Sequence, residues 1–223
     1  YIEQQRIAAV HVYQPQLRWP VPVKDIESLV GQVVDRVERR AKYLKFRWQS
    51  GYMLVHLGMS GNVRITESDE PLKKHDHIDI HLASGKTLRF HDPRKFGCWL
   101  FQPYGEKEHS LLKDLGPEPL SDAFHGKHLF ALSRNKKQAI KTWIMDNHVV
   151  VGVGNIYAAE SLFKARINPK TPVSTITLKQ YERLAIVIKE TLAAAIEQGG
   201  TTLRDFLNSD GKPGYFQQTL MVY

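Results

Sequence analysis

One cysteine, Cys98, occurs in 223 residues. That scarcity excludes an internal disulfide and any multi-cysteine zinc site built from these residues alone. Nowhere is there a run of about 18 apolar residues of the kind that spans a bilayer. The opening, YIEQQRIAAV, lacks the charged-then-apolar order of a secretory signal. A cytoplasmic protein with no membrane partner is therefore expected. Internal repeats and low-complexity segments are also absent. Acidic residues are the minority sign, 23 against 31 Lys and Arg, which leaves a net charge of +8. This balance suits a polyanionic partner without distinguishing DNA from RNA. With 42% hydrophobic residues, the chain can bury a substantial core in one or two domains.

The first hundred residues carry the two-residue rhythm of strands, at Ile7, Val10 and Val12, at Val33 and Val37, and at Leu44, Phe46 and Trp48. The rhythm continues through Met53, Val55 and Leu57, through Ile78, Ile80 and Leu82, over residues 87–91, and over 97–102. Only residues 24–30 read as a helix, closed by Gly31. Short strands at close spacing predict an antiparallel β-sandwich or barrel-like module. Around Leu115-Gly116-Pro117-Glu118-Pro119-Leu120 the period changes and two prolines stiffen the backbone. The expected fold class is α+β, with a sandwich over residues 1–117 and a helical domain over 118–223.

Within the helical half, residues 138–163 read as two helices joined by the turn Val151-Gly152-Val153-Gly154-Asn155. Ile140, Trp143 and Ile144 mark one apolar face; Ile156, Ala159, Leu162 and Phe163 mark the other. Asn155 is expected to cap the second helix, whose unpaired N–H donors and positive dipole end favour a phosphate. Arg134, Lys136, Lys137 and Lys141 add charge just upstream. On the turn alone, an ordinary helix connection is the favoured reading of the same glycines. The longest helix is predicted from a capping box at Thr177 and Gln180 to Gly199-Gly200, with a stripe of Leu184, Ile188, Leu192 and Ile196. Residues 209–216 read as a surface loop leading into a short strand that ends at Tyr223.

Four segments in the strand-rich half are more polar than a sandwich requires. Residues 39–43 (RRAKY) are basic. HLGMSG, residues 56–61, sets Met59 between two glycines, where it is either a packing residue or a wedge for stacked bases. KHDH, residues 74–77, places His75 and His77 on one strand face, with no further residue at metal-ligand spacing. In HDPRKFG, residues 91–97, Arg94 and Phe96 stand two apart and project together, one suited to a base edge and the other to stacking.

These segments, followed in order by LGPEPL, VGVGNIYAAE, GGTTLRDF and GKPGYF, closely resemble the formamidopyrimidine-DNA glycosylase family over almost the whole chain. The resemblance implies a β-sandwich followed by a helical domain with a helix-two-turn-helix motif, with DNA lying between them. It also implies excision of oxidised purines such as 8-oxoguanine and formamidopyrimidines, then strand cleavage at the abasic site by β- and δ-elimination. That is base flipping followed by covalent amine catalysis. The implied partner is duplex DNA containing oxidised bases or abasic sites, bound by a monomer. Lys42 matches the family's proton donor in elimination, and His75, Arg94 and Lys136 match its DNA contacts. Met59, Arg94 and Phe96 resemble the trio that fills the space left by an everted base. Lys141 and Asn155 resemble phosphate binders, and residues 212–216 resemble the loop that closes over the flipped base.

Two departures accompany the match. The family's nucleophile is an N-terminal proline followed by glutamate, whereas this sequence begins with Tyr1. The family also continues beyond Val222-Tyr223 into a four-cysteine zinc finger. The resemblance therefore implies zinc in the intact protein, with its ligands outside these residues, and an inactive polypeptide in the absence of the proline. Two other readings stay open on sequence alone: an endonuclease VIII-like glycosylase for oxidised pyrimidines, and a non-catalytic relative that binds damaged DNA.

Overall fold

The computed structural model describes residues 2–200 and 215–223. They form two compact units, one running through His109 and the other from Ser110 through residue 200 together with 215–223. In the first unit the strands are β1 (Ile7–Val12), β2 (Arg36–Arg40), β3 (Tyr43–Trp48), β4 (Gly51–His56), β5 (Asn62–Glu67), β6 (Asp76–Leu82), β7 (Lys86–His91) and β8 (Cys98–Pro103), with one short helix, α1 (Val23–Glu27). They build two four-stranded antiparallel sheets, ordered β1-β6-β7-β5 and β2-β3-β4-β8. The inward residues follow from the pleat, because every second side chain faces the partner sheet. Ile78, Ile80, Leu88 and Phe90 from one sheet meet Phe46, Met53, Val55 and Trp99 from the other in a single core.

Strand β5 is not among the strands expected from the sequence. Its alternation is short, with only Val63 and Ile65 apolar between polar neighbours, and pairing with β7 supplies what local pattern does not. The outward face of its sheet is polar and nevertheless buried. Arg89 donates from Nε and Nη2 to the two carboxylate oxygens of Asp79, each at 2.8 Å, and from Nη1 to the carbonyls of Glu70 and Pro71. Asp76 accepts two bonds from Arg64 at 2.9 and 3.0 Å. Buried charges survive in pairs of this kind because each ion replaces the water lost by the other.

The second unit contains α2 (Ser110–Lys113), α3 (Gly126–Ser133), α4 (Ile140–Ile144), α5 (Asn155–Ala165) and α6 (Leu178–Glu197), plus two short 3-10 turns at Val173–Thr175 and Phe216–Thr219. The capping box at the start of α6 is formed, with Thr177 Oγ1 accepting from the Gln180 N–H and Gln180 Oε1 accepting from the Thr177 N–H. Leu184, Ile188 and Leu192 are buried as predicted, but Ile196 is 63% exposed because the stripe turns to Ala195 in the last turn. On α5 the buried face is Ala158, Glu160, Ser161, Leu162 and Ala165, and Phe163 is exposed. Of the face expected from the sequence, Leu162 is buried, Ile156 and Ala159 are half-buried and Phe163 is exposed, whereas the polar Glu160 is buried. Its carboxylate accepts the N–H groups of Met221 and Val222, at 2.9 and 2.8 Å for the shorter bonds. The strand expected to end at Tyr223 is not formed: residues 220–223 carry no regular structure and are held by Glu160 instead. The segment Leu115–Leu120 packs on the helical unit, with the Gly116 N–H donating to Asn147 O and the Val151 N–H to Pro117 O. No helix among the described residues is long and apolar enough to cross a membrane.

Candidate nucleic-acid interface

Strand register gathers three of the polar segments at one end of the sandwich. Tyr43 pairs with His56 and His56 with Cys98, so the Ala41–Lys42 hairpin, the turn leaving β4 and the turn entering β8 lie side by side. In the other sheet Asn62 and Asp76 both pair with His91, so β5 and β6 begin where β7 ends. The turns 57–61 and 92–97 each cross from one sheet to the other at this end.

What holds the turns together is close backbone approach and one carboxylate. Gly58 has φ +68, and a Cβ there would stand 2.7 Å from Gly97 N and Phe96 C, so a larger residue would push the turns apart. Asp92 is fully buried. Ser60 Oγ donates to its Oδ1 and the Gly97 N–H to its Oδ2, both at 2.8 Å. The Asp92 N–H donates to His75 O, tying in the third segment. On this frame Met59 stands 68% exposed and Phe96 45% exposed. The Arg94 guanidinium lies 4.7 Å from the Phe96 ring centroid. The pair projects from a turn, not a strand, because Lys95 between them adopts φ +54.

Lys42 occupies the tip of the two-residue hairpin between Arg40 and Tyr43, where Ala41 takes φ +54. It is an exposed residue, yet protein packed about its amine pushes the pKa down from the ordinary lysine value. Lys42 is thereby a stronger acid than a free lysine. His56 is also pushed down, by burial first and then by the charges of Lys42 and Arg18. Its Nδ1 accepts the Gly58 N–H at 2.8 Å, as a neutral ring can.

His75 departs from its expected position. It precedes β6 with φ +76, in a left-handed turn, and does not share a strand face with His77. His77 is buried inside β6, with Nε2 2.8 Å from Asp92 O. The ring of His75 contacts those of His77 and His91, at centroid distances of 6.3 and 6.1 Å.

In the helical unit Lys136 is exposed just beyond α3, and Lys141 lies in α4. Arg134 does not belong to this free charge. Its guanidinium is consumed by the carbonyls of Phe130, Val173, Ser174 and Ile176 and stacks 4.0 Å from the Phe130 ring centroid. The cap of α5 is also different from the expectation. Gly154 is the N-cap residue, and Asn155 is the first helical residue. The shift leaves the Asn155 amide outside the helix hydrogen-bond pattern, where Nδ2 donates to the Tyr223 hydroxyl at 2.6 Å. Gly152, with φ +81, makes the turn before it. A helix start leaves its first N–H groups without intrahelical acceptors, so it stays suited to an anion. Residues 212–214 of the expected base-covering loop lie outside the described residues; Tyr215 is exposed and Phe216 is buried against Tyr157.

Zinc does not fit the side chains present. Among the described residues no group of three or more His, Cys, Asp or Glu could hold a metal ion. Burial pushes the thiol of Cys98 up to about 11, away from the thiolate that zinc requires.

Known proteins carry the same pattern. The formamidopyrimidine-DNA glycosylase N-terminal domain family matches residues 1–99, and the formamidopyrimidine-DNA glycosylase H2TH domain family matches residues 115–207. The formamidopyrimidine-DNA glycosylase of Marinobacter nauticus is 55% identical over 223 residues, which is all of this chain and 82% of that protein. That of Hydrogenovibrio crunogenus is 54% identical, over 100% of this chain and 79% of that protein. Among solved structures, wild-type Lactococcus lactis Fpg (MutM) in complex with DNA containing N7-benzyl-Fapy-dG superposes with a TM-score of 0.90 at 30% identity, covering 100% of this chain and 82% of the other. The same organism's Fpg with abasic-site DNA gives 0.89 at 30% identity, covering 98% and 81%. MutM (Fpg) from Thermus thermophilus gives 0.86 at 35% identity, covering 100% and 81%.

Proposed function

Because this chain belongs to the formamidopyrimidine-DNA glycosylase family, we propose that it serves base-excision repair, excising oxidised purines from duplex DNA and cleaving the strand at the abasic site. The observation that carries the reading is the grouping of Met59, Arg94 and Phe96 at one end of the sandwich, beside Lys42 and His75. An everted base leaves a gap in the stack, and two apolar groups with a guanidinium fill it at an unstacking cost of a few kcal/mol. Damaged DNA is what the Lactococcus proteins were crystallised with, which supports the same substrate here. His75, Lys136, Lys141 and Asn155 are the proposed backbone contacts, and Lys42 the proposed acid in elimination. A cytoplasmic location accords with this role. The test is strand incision by the intact protein on matched duplexes carrying 8-oxoguanine, a formamidopyrimidine or undamaged guanine. Cleavage of the lesion duplexes alone is expected, and equal treatment of all three would end this reading.

Phe96→Ala or Met59→Ala is expected to reduce eversion of the damaged base while sparing nonspecific affinity, since neither side chain attracts phosphate. A fluorescent base analogue at the lesion reports this directly. Equal losses on lesion and intact duplex would assign both residues to packing.

The family resemblance puts the secondary-amine nucleophile at an N-terminal proline, and these 223 residues start with Tyr1. A polypeptide of these residues alone is therefore expected to bind abasic-site DNA without a borohydride-trappable adduct, because Lys42 as a protonated donor is no nucleophile. Trapping at the yield of an intact family enzyme would show that another amine here does the chemistry.

A further inference from the structure

The two turns that carry Met59, Arg94 and Phe96 are joined by a buried polar relay. Ser60 is 1% exposed and Asp92 not at all. The Arg94 N–H donates to Ser60 Oγ at 3.3 Å, and Ser60 Oγ donates in turn to Asp92 Oδ1 at 2.8 Å. The other carboxylate oxygen, Oδ2, accepts the Gly97 N–H at 2.8 Å. One hydroxyl and one carboxylate thus hold both ends of the stretch from Arg94 to Gly97. Ser60 ties that stretch to the residue beside it in sequence, Met59.

Asp92 is itself anchored through its backbone. Its N–H donates to His75 O at 3.1 Å, its O accepts the Lys95 N–H at 3.2 Å, and Nε2 of the buried His77 lies 2.8 Å from that same oxygen. Space around the relay is equally confined: a Cβ at Gly97 would stand 2.7 Å from Phe90 Cζ and 3.1 Å from Asp92 Oδ2, and one at Gly61 would stand 2.1 Å from Leu57 O. The neighbouring buried carboxylates Asp76 and Asp79 hold guanidiniums. Asp92 holds the two turns instead. Exposed apolar side chains on so firmly bonded a frame suit insertion between bases, because a wedge that yields cannot keep a stack open.

We propose that Ser60 and Asp92 are positioning residues for base eversion: their relay fixes Met59 to Arg94 and Phe96 as one rigid wedge, so that the three side chains enter the vacated space together. Met59, Arg94 and Phe96 meet the DNA, and Ser60 and Asp92 act through them. Lys42 stands on the separate hairpin between β2 and β3. The inference rests on the base-excision reading above and divides the reaction in two. Eversion depends on the relay, whereas elimination at a site that has already lost its base does not, because nothing is left there to unstack.

The test is Ser60→Ala in the intact protein, which deletes one buried oxygen and leaves Asp92 its bond from Gly97. Eversion, read from a fluorescent base analogue beside 8-oxoguanine, and single-turnover excision should both fall, by up to about 100-fold for a wedge displaced by about 1 Å. Elimination at a preformed abasic site should fall far less. Equal losses in the two reactions would make Ser60 a packing residue and overturn the proposal, as would no loss in either. Asp92→Asn is the second variant, read in the same way if Ser60→Ala does not fold. It keeps the volume but offers one acceptor oxygen to two donors, and the same split is expected. Backbone hydrogen exchange tests the frame without DNA: the Arg94 N–H should exchange about tenfold faster in Ser60→Ala. An unchanged rate would overturn the relay as what holds the turn. Failure of the unmutated protein to excise 8-oxoguanine would instead remove the base-excision reading, and this inference with it.

Discussion

Replacing Lys42 with methionine in the intact protein is expected to slow β-elimination at an abasic site by about 100- to 10,000-fold, the range a positioned acid or base contributes. Methionine keeps an unbranched apolar stem, so the hairpin tip and the pairing of Arg40 with Tyr43 should persist. The expected deficit is therefore chemical, and binding to abasic-site DNA should change by no more than one phosphate contact. The pH profile gives a second reading. Protonated Lys42 is present below its pKa and is lost as pH rises through it. Because its surroundings push that pKa down, the alkaline fall in elimination should begin below the ordinary lysine range. In the variant this limb should vanish. A methionine variant with unimpaired elimination would take the proton-donor role away from Lys42.

The largest stability change should come from Arg89. Substituting leucine leaves the buried Asp79 carboxylate without its cation, holding the Tyr13 hydroxyl at 3.3 Å, and strips the Glu70 and Pro71 carbonyls of their donor. Breaking one side of a buried ion pair costs about 3–5 kcal/mol, a large share of an ordinary folding free energy. Urea unfolding followed by tryptophan fluorescence will report it, since Trp48 and Trp99 are both buried in the sandwich core. The double variant Asp79→Leu with Arg89→Leu should recover most of the loss, because removing both charges removes the desolvation problem. A single-variant cost under about 1 kcal/mol would mean that water reaches Asp79 in solution.

How far the sequence could be read depended on how local each cause was. The capping box at Thr177 involves two residues three apart, so it was visible in the letters and is formed. The chemistry of Asn155 was less local. Which residue caps α5 depends on where the chain enters the helix, and the partner of the Asn155 amide is Tyr223, 68 positions away. Arg134 looked like one more free cation among lysines. Only the fold brings the carbonyls of Val173, Ser174 and Ile176 to its guanidinium and removes it from the pool available to phosphate.

By itself the sequence determined the alternation that makes strands, the change of period that starts the helices, the positive charge, and the family through its ordered short motifs. These are properties of neighbours within a few positions, where backbone geometry translates residue order directly into structure. Tertiary structure alone decided that Met59, Arg94, Phe96 and Lys42 share one end of the sandwich and that Asp92 binds the turns carrying Met59, Arg94 and Phe96. Those relations come from strand register. Pairing His56 with both Tyr43 and Cys98 brings positions as far as 55 apart in the chain into one sheet, and no local spacing encodes which strands will pair.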